Sequence, residues 1–328
     1  MSGNRRHRRG RAHSHGSNRS TVSATPPYVI GQDGHRMLRI ASIVVALGFS
    51  SLIASAPQAG AVAEAQCGTP LSAAEIQTVA ALSDTTTIGA GPTLDRLDEA
   101  VARNHRIADI LASHHDWRGL FDVGLDAVEQ SPVLPLQHDA GAFADPEYAH
   151  AISYELLRRF LVNLHAEFTG GTPEPHWAWY FQLAGRCDQS PARVAMAGYN
   201  AHLTVDLAYA VAAVGSKPEN APDFFHIVDA IARSGDLIVD RTRRVYNADL
   251  GPLWRFYFVG EGLDRLFGQG VATGPLLEVA DLGYNVVVWT NGLALQNPAT
   301  AEATRAEINA LWSADDAAFA VLARLGGL

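Results

Sequence analysis

PARVAMAGYNAHLTVDLAYAVAAV, residues 191–214, is the stretch that decides the fold class. It opens on Ser190-Pro191, a good N-cap followed by proline at the first helical position. No turn signal interrupts it before Gly215. Its composition is apolar enough to read as a buried helix rather than one with a single wet face. Beyond Arg193 in its first turn, His202 and Asp206 stand as a basic and an acidic residue deep inside it. Positions four apart lie one turn apart on a helix face. The two therefore share a stripe with Gly198, whose missing side chain lets another group approach closely. Burying such groups costs several kcal/mol unless they are paired or bind something. The pair needs a partner, and a ligand could supply it.

Working outward, the same helix punctuation recurs. Ser72-Ala73-Ala74-Glu75 is a capping-box pattern. Asp145-Pro146 and Asn297-Pro298 repeat the N-cap and proline signal, and Gly170-Gly171, Gly215, Gly235 and Gly326 sit where helices would stop. Between these marks the apolar residues follow a 3.6-residue period, as in Leu94, Leu97, Val101 and Ile107 or Tyr148, Ile152 and Leu156. The spacing predicts helices near 71–83, 93–113, 117–130, 146–168, 175–186, 191–214, 222–234, 236–268, 275–295 and 298–325. Tyr284 to Thr290 is β-branched enough for a strand, but a lone strand has no partner, so it stays helical. The expected fold is all-α, a single multi-helix bundle-like domain.

That domain is preceded by two other segments. Residues 1–36 carry Arg5, Arg6, Arg8, Arg9 and Arg11 with almost nothing apolar, which reads as a disordered basic arm. Residues 37–65 combine a positive flank, a short uncharged run from Ile40 to Ala56 and small-x-small cleavage options, which reads as a signal peptide. Met1 and Met37 both serve as start candidates, and the cleavage position stays open. The run is short beside the roughly 20 apolar residues of a membrane span, so no stable span is expected after cleavage. The remaining 66–328 would form the helical domain, secreted or held in the cell envelope. Those 65 leading residues hold eight of the 25 basic and two of the 34 acidic residues. The rest is strongly acidic, which argues against nucleic acid as a partner and leaves an unknown small molecule as the candidate. Cys67 and Cys187 are the two cysteines, and an oxidising compartment would join them in a disulfide.

The His202/Asp206 spacing supports two chemistries. The pair could give two ligands to a divalent metal such as zinc, with the rest from other helices, or Asp206 could orient His202 as a general base. The competing reading is a structural polar network, with Asn200 on a different face bonding a neighbouring backbone. Asp223 and His226, at i and i+3, could join either a ligand set or that network. Asp223 also suits a helix N-terminus on electrostatic grounds alone. His114-His115-Asp116 reads mainly as an N-cap with solvated histidines. His150, Tyr154 and Arg158 read as a polar face beside a Glu155–Arg159 ion pair. The aromatic run His176 to Phe181 could stack on a ligand, but aromatics at this density usually line a core. The chain has no Gly-x-Ser-x-Gly elbow, His-Glu-x-x-His, phosphate loop or dinucleotide fingerprint.

Gly198 through Leu207 closely follows the Gly-Met-Asn-Ala-His-Ile-Asn-Leu-Asp-Leu core of an actinobacterial domain-of-unknown-function family, number 5995, with Tyr199 for Met and Thr204 for Asn. Phe143-Ala144-Asp145-Pro146, Pro175-His176-Trp177 and Asp223-Phe224 continue the match, and residues near 117–295 resemble that family. The resemblance implies an all-helical bundle with Asn200, His202 and Asp206 at the family's polar positions, and implies no activity. One departure is Ala192-Arg193, where family members commonly carry Gln-His. The expected function is an exported helical protein of unknown activity with an Asn/His/Asp cluster that binds a ligand or holds the structure. The alternative is a His/Asp-centred, metal-dependent hydrolase.

Overall fold

Helix α1 (Ala73–Ser83) starts on the expected capping box. Ser72 Oγ accepts from Glu75 N at 3.2 Å, while Glu75 accepts from Ser72 N at 2.8 Å. The computed structural model describes residues 67–250 and 275–324, with the backbone alone for 275–283. The chain divides into two units, residues 1–56 and 57–328, and all described residues lie in the second. The expected basic arm and signal peptide lie outside the described residues.

After α1 come α2 (Thr93–Ser113), α3 (Asp122–Val128), α4 (Leu134–Gln137), α5 (Pro146–Thr169), α6 (Pro175–Ala184), α7 (Pro191–Asn200), α8 (Leu207–Ala213), α9 (Ala221–Arg233), α10 (Gly235–Tyr246), α11 (Pro275–Leu295) and α12 (Ala301–Arg324). No strand occurs among the described residues, and Tyr284 to Thr290 is helical within α11. Prolines open α5, α6 and α7 in the first turn, where a missing N–H costs nothing.

Four expected boundaries are corrected. The run 191–214 is not one α-helix but α7, a π-helical turn over Ala201–Asp206, and α8. The run 117–130 breaks into a 3₁₀ turn at Trp117–Gly119, α3, and a π-helical turn at Glu129–Val133 that holds Pro132. The helix expected over 236–268 stops at Tyr246. Asn247 takes a left-handed conformation there (φ 53°) and its N–H caps Arg243 O at 2.9 Å; residues 251–268 lie outside the described set. Helix α12 begins at Ala301, because Asn297 O accepts from the N–H groups of Thr300 and Ala301 and holds Pro298 in a turn.

Two apolar clusters form the interior. The larger centres on Phe121, Phe160, Trp177 and Tyr180 from α5, α6 and the entry to α3. The smaller joins Val211 of α8, Phe224 of α9, Trp289 of α11 and Ile308 of α12. Gly198 lets α7 lie against Phe121: a Cβ at position 198 would sit 2.5 Å from the Phe121 Cβ. The Cys67–Cys187 disulfide is present and spans 120 residues of sequence. No helix among the described residues is long and apolar enough to cross a membrane.

Candidate functional site

The site lies where the start of α6 meets the end of the π-helical turn. Helix α5 positions the approach to α6 through Asn163. Its Oδ1 accepts from Glu174 N at 2.7 Å, and its Nδ2 donates to Arg159 O at 2.9 Å. Pro175 then starts α6, placing His176 and Trp177 in its first turn. Both face Asp206, which is fully buried. His176 Nε2 lies 3.1 Å from Asp206 Oδ1, and Trp177 Nε1 donates to Oδ2 at 2.8 Å. Arg159 Nη1 stands 4.0 Å from the same Oδ1, and Arg159 Nε lies 3.2 Å from Glu155 Oε1. On its other side His176 Nε2 is 3.4 Å from Glu174 Oε2. A buried carboxylate is thus compensated by the Trp177 N–H, the His176 ring and a guanidinium, which offsets its desolvation. His176 is nearly buried while Glu174 is half exposed, so the cluster opens to solvent at one edge.

The histidine facing Asp206 is not the one the helix spacing indicates. In a π-helical turn the ladder widens to i→i+5, and residues four apart no longer stack. No hydrogen bond joins His202 to Asp206. The His202 ring instead packs 5.0 Å from Phe121 and 6.4 Å from Trp177, and its Nδ1 has no hydrogen-bond partner. Burial pushes its pKa down to about 4 against the opposing pull of the Asp206 charge, so it is neutral at pH 7. Its placement suits a neutral core residue in this structure.

The other sequence candidates disperse. Asn200 lies on another face, donating from Nδ2 to Trp312 O at 2.9 Å and accepting from Thr204 at 2.6 Å; Thr204 also bonds the Tyr284 hydroxyl. This network ties the π-helical turn to α11 and α12. Asp223 staples the loop before α5, accepting from Ala144 N at 2.9 Å and Asp145 N at 2.7 Å, and His226 Nδ1 bonds Ala142 O at 3.1 Å. Neither reaches Asp206 through any of these bonds. Asp116 is an N-cap that also holds Arg118. Arg193, at the Gln-His position, is buried and pairs with the partly exposed Asp316 at 2.5 Å.

Glu174, His176 and Asp206 each offer a donor atom, all within 4.8 Å of one another, the one such group among the described residues. Ligand–metal bonds of about 2.0–2.2 Å place neighbouring ligands roughly 3.0–3.5 Å apart, and the His176 distances of 3.1 and 3.4 Å fall in that interval. Trp177 would supply the outer hydrogen bond that orients Asp206 as a ligand. Two oxygens and one imidazole suit zinc, manganese or iron. Sequence reasoning missed Glu174 and the role of His176, although Pro175-His176-Trp177 was visible as a motif. Nothing in its spacing says that it meets Asp206 thirty residues on.

A second buried group lies on α3 and the turn after it. Asp122, Asp126 and Glu129 are all buried, with His105 2.9 Å and Arg241 3.8 Å from Asp126. Burial, and next the Asp126 charge, push Glu129 up to about 8 and Asp122 well above the usual carboxylate range.

A family model described as a family of unknown function, DUF5995, matches residues 97–269. The match starts within α2, upstream of the expected 117, and includes Glu174, His176 and Asp206. No curated protein and no solved structure matches.

Proposed function

The chain belongs to the DUF5995 family of unknown function, and we propose that it is a divalent-metal-binding hydrolase centred on Glu174, His176 and Asp206. The observation that carries this reading is the position of His176 Nε2 between two carboxylates, at 3.1 and 3.4 Å, with one carboxylate buried and the other at the solvent edge. Three protein ligands leave positions for water and substrate, as metal-dependent hydrolases require. The bound ion would lower the pKa of its water and so supply a nucleophile near pH 7. Asp206 would be one ligand, with its second oxygen fixed by Trp177. Arg159, 4.0 Å from Asp206, is placed to stabilise negative charge developing on a substrate oxygen. The Asn200–Thr204–Tyr284 network holds the π-helical turn that presents Asp206. Export to an oxidising compartment is part of the proposal, supported by the Cys67–Cys187 bridge.

Elemental analysis of protein purified without chelators, followed by zinc and manganese titration, tests it. About one equivalent of metal is expected, lost in His176→Ala and Asp206→Asn while the helical circular dichroism persists. Wild-type protein that takes up no metal at micromolar ion concentrations overturns the reading.

A further inference from the structure

Arg159 reaches the donor cluster with much of its hydrogen-bonding capacity unspent. Its side chain is 16% exposed, and its Nε is buried without a hydrogen-bond partner. Glu155 Oε1 lies 3.2 Å from that Nε, but both Glu155 oxygens are committed to Arg158, at 2.6 Å from its Nε and 2.8 Å from its Nη2. Asp206 is committed as well. Its Oδ1 faces His176 Nε2 at 3.1 Å, its Oδ2 accepts from Trp177, and Arg159 Nη1 stands 4.0 Å away. The Tyr209 ring, 5.3 Å from the guanidinium carbon, flanks the group. A guanidinium carries five N–H donors in a rigid fork that fits the edge of a carboxylate or a phosphate. Burying such donors unbonded costs free energy, so this one is poised for an anion.

The neighbouring charges say which anion. Glu155, Glu174 and Asp206 carry three formal negative charges against the two positive charges of Arg158 and Arg159, which leaves −1. A divalent ion on Glu174, His176 and Asp206 turns that into +1, so anion binding is coupled to metal binding. Arg158 belongs to the same group: its bond to Glu155 raises its pKa, and the Glu174 charge adds to this. Asp206 is enclosed, whereas Glu174 is half exposed and Arg158 about a third exposed. An anion therefore meets the group from the Glu174 and Arg158 side.

We infer, resting on the metal-dependent hydrolytic reading above, that the substrate is a phosphate monoester whose phosphoryl group is held by the Arg159 fork and the bound ion. Three terminal oxygens allow two bonds to the fork while the third meets the ion. A carboxylate has two oxygens and a single charge, and cannot fill both places. In the hydrolysis, the water oxygen bonds phosphorus as the ester P–O bond breaks. The leaving oxygen takes a proton from that water and departs as an alcohol, and orthophosphate remains.

Calorimetry on the full chain with phenylphosphonate, whose P–C bond resists hydrolysis, and with benzoate as the planar monoanion, each with and without zinc, tests this. Phenylphosphonate should bind the zinc-loaded chain about tenfold or more tighter than benzoate, and Arg159→Ala should weaken it about 10- to 100-fold while one zinc still binds. Arg159→Lys keeps the charge without the fork and should recover only part of the loss. If the alanine variant loses its helical circular dichroism, the lysine variant decides, and wild-type affinity there overturns the inference. Benzoate binding as tightly as phenylphosphonate, or phenylphosphonate indifferent to Arg159, overturns the phosphoryl assignment and leaves the metal centre standing. Phenylphosphonate binding as tightly without zinc overturns the shared site. A chain that takes up no zinc overturns the metal centre, and this inference with it.

Discussion

Glu129→Gln tests the interior on which the candidate site is built. Glu129 sits in the π-helical turn after α3 and is 6% exposed, with Oε2 lacking any hydrogen-bond partner. Burial, then the charge of Asp126, raise its pKa from 4.5 to about 8. The sign follows from proton binding in the two states. Between pH 4.5 and 8 the unfolded chain has released this proton and the folded chain retains it, so stability is full below 4.5 and is lost as pH rises through 8. At 1.36 kcal/mol per pH unit, Glu129 costs the fold about 5 kcal/mol by pH 8. Glutamine keeps the shape without the charge. Urea unfolding followed by circular dichroism at steps from pH 5 to 8.5 should show the variant within about 1 kcal/mol of wild type at pH 5 and more stable by several kcal/mol at pH 8.5. Asp122 and Asp126 remain in both proteins, so the difference curve reports position 129 together with its coupling to Asp126. Curves that stay parallel across that range would refute the burial of this turn.

Other outcomes follow from the same structure. Gly198→Ala would push a methyl to 2.5 Å from the Phe121 Cβ; a loss of about 1–3 kcal/mol is expected in thermal melts, and an unchanged melting temperature would show that α7 does not pack so closely. Replacing Cys67 and Cys187 by serine opens a constraint across 120 residues, for which chain entropy gives about 4–5 kcal/mol; denaturant midpoints of the variant and of reduced wild type should fall together. His202, held down to about 4 by burial, adds stability that is present above 6.5 and lost as pH falls through 4. His202→Gln should therefore flatten the stability profile over that window, by up to about 3 kcal/mol, as read by urea melts at pH 7, 5.5 and 4.5.

Much of the fold is legible in local order. Ser72 with Glu75, Asp145 with Pro146 and Ser190 with Pro191 mark helix starts by chemistry that acts within four residues, and the 3.6-residue periods mark the faces. Those signals are short-ranged, so they survive without any knowledge of tertiary contacts. The π-helical turn at Ala201–Asp206 is different. No composition rule announces it, yet it rotates His202 away from Asp206 and turns it toward Phe121 and Trp177. The boundary at Tyr246 was also hidden, because a single Asn247 in a left-handed cap decides it.

The sequence by itself determined that the chain is helical, that Asp206 is an acid in an apolar setting, and that Cys67 and Cys187 are the available bridge. These follow from residue type and spacing. Only tertiary structure decided who meets Asp206. His176, Trp177 and Arg159 come from α6 and α5, separated from it by dozens of residues, and their convergence depends on how those helices cross. A buried carboxylate draws whichever donors the packing brings within reach, and the packing is a property of the assembled helices rather than of any one of them.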